Sequence, residues 1–245
     1  MNKLLTLTKR NLKEIIRDPL SLIFCLGFPL IMLVLLQTIF KNMQFVPDNF
    51  KIENYAVGIC IFGYTFGMMF IAMMISADKN SEFICRINIA PIGKTHYVLS
   101  YALCAFPIFF AQTLLFLLVA TLFGLSFSFK IIVATVYLVP SMILFISIGI
   151  LMGTIAKNEK QSGPLCSIII SASSILGGVF MPVEGLGTFS NIVNILPFVH
   201  SVKISSGVFL GDYSCIFPHV IWVLGYAIIF FLATLVIRKI KSKRS

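Results

Sequence analysis

Six apolar runs divide this sequence, and none of them contains an Asp, Glu, Lys or Arg: Leu20–Phe40, Tyr55–Ile75, Val98–Leu122, Ile131–Leu151, Pro164–Phe180 and Pro218–Ile237. An α-helix rises 1.5 Å per residue, so about 20 residues cross the ~30 Å hydrocarbon core of a bilayer. The runs therefore predict transmembrane helices, the fifth being the shortest. Lipid leaves backbone amides no outside partner, which restricts spanning structures to helices and closed barrels. Continuous apolar runs without period-2 alternation select helices. With 58% hydrophobic and 11% charged residues and a mean hydropathy of +1.00, a soluble domain of 245 residues could not hide its apolar surface from water. The expected fold is all-α: one polytopic membrane domain over residues 1–245, with no appended soluble domain.

Charge sets the expected orientation. Of the 19 Lys and Arg, only Lys41, Lys51, Lys130 and Lys203 fall on one side of the predicted membrane, and the rest, with both termini, fall on the other. The positive-inside rule makes the richer side cytoplasmic. The net charge of +10 reflects this bias and favours anionic lipid as a partner. The basic tail Arg238–Arg244 is accordingly read as a membrane-facing feature, with no nucleic-acid partner. The first apolar run is too long for a signal-peptide core and lacks a small-x-small cleavage site, so it is read as a retained span. Ahead of it, residues 1–18 form an amphipathic pattern. At 100° per residue Lys3, Arg10, Lys13 and Arg17 share one face and Leu5, Leu12, Ile15 and Ile16 lie opposite, which predicts a helix along the membrane interface.

Catalytic and metal-binding patterns are missing. Cys25, Cys60, Cys104 and Cys166 fall in spans, while Cys85 and Cys215 fall on opposite sides, so no CxxC or external pair exists. His96, His200 and His219 are dispersed, and only the last two share a side. Gly93-Lys94-Thr95 has the ending of a phosphate-binding loop, but Asn88 stands where its first glycine is needed. No cofactor or metal is expected on this chain, and it is not expected to be an enzyme. Ion-coupled carriers and intramembrane hydrolases keep ionisable groups at membrane depth, and these spans have none.

Small residues suggest how the helices meet. Gly63 with Gly67, and Gly149 with Gly153, form GxxxG pairs that let helix backbones approach closely. Ser167, Ser171 and Ser174 recur on one face of the fifth run, where they could bond a neighbouring helix or line a substrate route. Pro107 and Pro140 interrupt two runs, and Gly27 with Pro29 invites a kink in the first.

Three stretches carry a family resemblance. Residues Asn11 to Leu36, the segment Leu176-Gly177-Gly178-Val179-Phe180-Met181-Pro182 with Leu196-Pro197-Phe198 and Ser206–Gly211, and the loop Ser76–Pro91 resemble permease subunits of the type-2 ATP-binding-cassette exporters. The loop departs from the pattern at Asn80-Ser81, where Gly-Thr is common. The resemblance implies an interfacial helix, six spans with internal termini, a cytoplasmic coupling loop over 76–97, and an external region over 181–217 that contains a re-entrant hairpin. It implies that Asp78, Glu82, Phe83, Arg86 and Pro91, with Arg10, Arg17 and Asp18 of the N-terminal helix, meet a separate ATPase subunit. Two ATPase copies would carry ATP and Mg, and a second copy of this chain or a related permease would complete the pore. Substrate would pass between the second and fifth spans, along Tyr64, Phe66, Met69, Ser167, Ser171 and Ser174. With no fixed charge, that route suits an amphipathic drug-, peptide- or lipid-like cargo. The expected location is a bacterial cell membrane. A membrane-embedded enzyme working through hydroxyls, cysteines, Gln37 or Gln112, and a regulatory membrane subunit, are the alternatives.

Overall fold

The computed structural model describes residues 3–242 apart from 42, 44, 80, 83–93, 181–188, 212 and 215. Among the described residues the chain is helical, without a strand. We label the main helices α1 (Lys3–Arg17), α2 (Pro19–Phe40), α3 (Ile52–Asp78), α4 (Lys94–Thr121), α5 (Lys130–Ile155), α6 (Glu159–Leu176), α7 (Phe189–Val193), α8 (Pro197–Leu210) and α9 (Ile216–Ser242). Five of them, α2, α3, α4, α5 and α9, are long and apolar enough to cross a membrane. The end of the bundle that carries α1, the end of α3 and the end of α9 is called the basic end below.

Local chemistry explains the breaks. The α2 helix opens at Asp18, whose carboxylate accepts the Leu20 N–H at 3.1 Å and caps a helix with Pro19 in its first turn. Pro29 has no N–H to give to the carbonyl four residues earlier. The chain answers with a wide turn over Ile23–Gly27, closed by a Phe28 N–H bond to the Ile23 carbonyl. Pro140 interrupts α5 at Leu138, whereas α4 continues through Pro107.

The fifth expected span, 164–180, takes a different extent. Asn158 caps α6 by accepting the Gln161 N–H at 3.0 Å, and the Gln161 side chain accepts the Lys157 N–H at 2.8 Å, so the helix starts earlier than its apolar run. The polar first turn and the serines that follow leave α6 short of the hydropathy of the five long helices. It ends where Gly178 takes a φ of +78°, a conformation open to glycine. Residues 181–188 of the expected re-entrant hairpin lie outside the described residues, and α7 and α8 follow it.

Helix α3 is the centre of the bundle, packing on α5, α6, α4, α8 and α2. Both glycine pairs lie in these contacts. A Cβ added at Gly149 would stand 2.7 Å from the Met68 carbonyl oxygen, and one at Gly153 would stand 2.8 Å from that of Ala72, so α5 meets α3 backbone to backbone. On the α4 side Gly67 receives the ring of Phe109 and Gly63 the amide of Gln112. The N-terminal helix packs on the bundle through one narrow stripe. It lies on α4 through Leu7, Asn11 and Ile15, while Leu5 and Ile16 are exposed. The packed stripe has Asn11 at its middle.

These contacts give a direct test. Forcing a side chain into a tightly packed contact costs about 1–3 kcal/mol, and for a chain of this size each kcal/mol lowers the melting temperature by roughly 2–4 °C. Gly149→Leu and Gly153→Leu should each lower the melting temperature of the purified protein by at least about 2 °C. Gly225→Leu, on α9 where nothing lies within 4 Å of an added Cβ, should not. Equal melting in all three variants would contradict the backbone contact.

Candidate coupling site at the basic end

The last turn of α3 brings together residues from four helices. Asp78 is buried and receives two bonds from Arg10 of α1: Nη1 to Oδ2 at 2.5 Å and Nη2 to Oδ1 at 2.8 Å. This paired geometry is the strong form of an Arg–carboxylate contact. Tyr101 of α4 donates its hydroxyl to Oδ2 of the same carboxylate. The Tyr97 and Tyr101 oxygens lie 2.9 Å apart, and because Tyr101 has spent its one proton on Asp78, Tyr97 is the donor between them. The guanidinium of Arg238, from α9, stands 4.7 Å from the centre of the Tyr97 ring. Asn11 donates to the Ser100 hydroxyl at 3.0 Å, fixing α1 on α4 one turn away.

The contact with Asp78 also acts on its partner's ionisation. The hydrogen bonds that it donates to Asp78, chiefly, hold Arg10 above the ordinary arginine range against the cost of burial. Glu14, 3.0 Å from Arg10, is raised because desolvation outweighs the attraction of the guanidinium. The next residue of α3 is clamped as well. Lys79 Nζ donates to the carbonyls of Gly153 and Thr154 at 2.5 Å and of Ala156 at 3.0 Å, closing the C-terminus of α5 with a cation where the helix dipole favours one.

Other residues singled out in the sequence fall in different places. Arg17 is exposed at the end of α1, Asp18 caps α2, and Glu82 is exposed just past α3. Phe83, Arg86 and Pro91 lie outside the described residues. Tyr64 sits in the core, stacked on Phe109 at 5.1 Å with its hydroxyl against Thr113, and so is parted from Phe66 and Met69, which are half-buried on the other side of α3. Phe66 belongs to an aromatic cluster with Phe28 at 5.4 Å and Phe62 at 5.1 Å, and Phe180 joins Phe62 at 5.2 Å. On α6 Ser167 and Ser171 face outward, while Ser174 turns inward and bonds the Ile170 carbonyl.

Sequence reasoning named Arg10 and Asp78 without pairing them, and it missed Tyr97, Tyr101, Lys79 and Arg238. The available signals were a lone acid closing an apolar run and two tyrosines four residues apart at the start of the next one. At the opposite end the structure joins two histidines that looked unrelated. The Nδ1 atoms of His200 (α8) and His219 (α9) lie 2.8 Å apart, and His200 Nε2 lies 2.8 Å from the Asn194 carbonyl. A carbonyl only accepts, so His200 carries its proton on Nε2 and His219 donates to its Nδ1. Trp222 Nε1 donates to the Ile195 carbonyl at 2.9 Å beside them. Among the described residues no cluster of three or more His, Cys, Asp or Glu could hold a metal ion.

Long apolar helices around a buried, polar-clamped centre define a multi-pass helical membrane protein. The sequence profile of the ABC-2 type transporter family matches residues 2–210, and the chain belongs to that family as a membrane permease component. A curated relative, ABC transporter G family member 23 of Dictyostelium discoideum, is 28% identical over 155 residues, which are 63% of this chain. The chain thus matches only 22% of that relative's length.

Removing one partner of a buried ion pair costs about 3–5 kcal/mol, whereas replacing both with apolar groups is often close to neutral. Arg10→Met and Asp78→Leu should therefore each destabilise the protein clearly, by at least about 2 kcal/mol given the half-exposed arginine. The double variant should recover most of the loss, as measured by denaturation of the purified chain. Additive losses would mean that the two side chains do not act as a pair.

At the other end burial lowers the pKa of His200, opposed by its bond to Asn194 and aided by Lys203. A histidine held neutral in the folded state contributes stability that is complete above its ordinary pKa and lost as pH falls through the lowered value. Trp222 is the one tryptophan, and the His200 ring lies 5.5 Å from it, so protonation of His200 should quench it. Trp222 emission should fall with a midpoint below pH 6.5, and His200→Gln should abolish the transition. A pH-independent emission in the parent protein would refute this.

Proposed function

We propose that the chain is the conducting half of an ATP-driven exporter. It would be powered by a separate ATPase that carries ATP and Mg, and would be completed by a second permease. The observation that carries this reading is the clamping of α3 at its final turn. Asp78 binds α1 and α4, Lys79 binds the end of α5, and the segment over 80–93 follows at once. A push on that segment would be delivered to four helices together. The basic end is the cytoplasmic one in this reading, in accord with the distribution of Lys and Arg.

Helix α6 serves as the sixth crossing. Ser76 bonds Ser162 at 3.1 Å near the basic end, and the space beside Gly58 is filled by Val179 near the other, so the two chains run antiparallel over the same stretch of α3. The 18 residues from Gly58 to Ser76 rise about 27 Å, close to the hydrocarbon thickness. The exposed Ser167 and Ser171 and the half-buried Phe66 and Met69 would offer the cargo hydroxyls and apolar surface, which suits an amphipathic drug-, peptide- or lipid-like molecule moved by alternating access.

Reconstitution in vesicles with the cognate ATPase tests the reading. The chain alone should hydrolyse no ATP, and Asp78→Asn should leave ATPase association within about twofold while lowering transport at least about tenfold, a difference of ~1.4 kcal/mol in the coupled step. Nucleotide turnover by the chain alone, or full transport by Asp78→Asn, would refute it.

A further inference from the structure

Helices α4, α5 and α9 leave a groove of about 320 Å³ on the outside of the bundle. Its walls are apolar, with Leu99, Leu103 and Phe106 from α4, Ile150 from α5, and Ile228 and Leu232 from α9. The one hydroxyl in it, that of Ser147, already bonds the Ile143 carbonyl at 2.8 Å. An occupant therefore finds no polar partner inside and must be a hydrocarbon. From Leu99 to Phe106 the groove runs about 10 Å along the helix, within one leaflet's share of the ~30 Å core.

The basic end of the groove has another character. Arg238 lies seven residues beyond Phe231, which is two helical turns and hence the same face of α9, about 10 Å further along. His96 stands one turn before Leu99 on α4, and His96 and Lys239 are exposed. Arg238 is held in place by the Tyr97 ring. A dry apolar slot that ends beside the positioned Arg238 guanidinium and the exposed Lys239 complements a molecule with an alkyl chain and a negative head.

We propose that this groove binds an anionic phospholipid of the leaflet at the basic end, with one acyl chain along Leu103 and Ile228 and the phosphate at Arg238. Basic pockets between transmembrane helices recognise anionic head groups in this way, each cation adding a preference of about fivefold over a zwitterionic lipid. Through Tyr97 and Tyr101 the head group would also touch the cluster around Asp78. The binding site does not depend on the exporter reading, because it needs neither an ATPase nor a particular orientation.

The single tryptophan makes a test practicable. In a Trp222→Phe background a reporter is placed at the groove rim by Ile228→Trp, or at an exposed position on α2 by Leu35→Trp. Each protein is reconstituted in equimolar phosphatidylcholine and phosphatidylglycerol vesicles in which one lipid or the other is brominated. Brominated phosphatidylglycerol should quench the rim reporter with an apparent affinity about fivefold above that of brominated phosphatidylcholine, against near equality on α2. Arg238→Gln should abolish the preference. Equal ratios at the two positions, or a preference that survives Arg238→Gln, would overturn the proposal. So would a rim reporter that neither lipid quenches, since that face would then be covered by a second copy of the chain. The comparison of the two positions requires no change at Arg238 and decides the matter if Arg238→Gln does not fold.

Discussion

The carboxylate of Asp78 is the constraint on which the basic end depends. Buried and alone, it would cost several kcal/mol. It stays acceptable because Arg10 meets both oxygens and Tyr101 adds a third bond. Those donors come from α1 and α4, so the charge is satisfied only when both helices stand in their places beside α3. This matters most for α1, which buries only Leu7, Asn11 and Ile15 against the bundle.

Below that clamp the packing changes in kind. Between α3 and α5 the glycines at 149 and 153 remove every side-chain atom that could separate the backbones, and dispersion over that contact replaces directional bonds. Lys79 then ties the end of α5 to α3 with three carbonyl bonds. The two helices therefore form one stiff body, fixed in its middle by shape and at its end by charge. Helix α2, with a wide turn at Ile23–Gly27 and mostly exposed side chains, adheres to this body much more loosely.

The sequence made the helical class and the five long spans legible because a run of apolar residues without charge has few other uses. Helix ends were less legible. Asn158 and Gln161 start α6 within a polar stretch by hydrogen bonds that hydropathy does not count, and Asp78 prolongs α3 past its apolar run because its charge is matched by residues far away in the chain. The cluster around Asp78 was half visible. An acid next to a predicted loop reads as a solvated residue or a docking contact until Arg10, sixty-eight residues earlier, is placed against it. Tyr97 falls in the predicted loop and Tyr101 in the apolar run after it, and nothing local shows that their hydroxyls have polar partners. The resemblance puts Tyr64 and Phe66 on one route, yet positions two apart on a helix face opposite sides.

The choice of tyrosine at 97 and 101 follows from the same electrostatics. A lysine at 101 could bind Asp78 but would add a second cation beside Arg10, and a phenylalanine would leave each carboxylate oxygen with a single partner. The phenol supplies a proton without a net charge. Its oxygen then accepts from Tyr97, and a phenol that donates its proton has a more electron-rich ring, which is the face turned toward Arg238. Each bond polarises the next in one direction, from the anion on α3 to the cation on α9, in surroundings where low dielectric strengthens such chains. The four helices at this end are thus linked by alternating charge and hydroxyl, and a change in the position of any one alters the field felt by the other three.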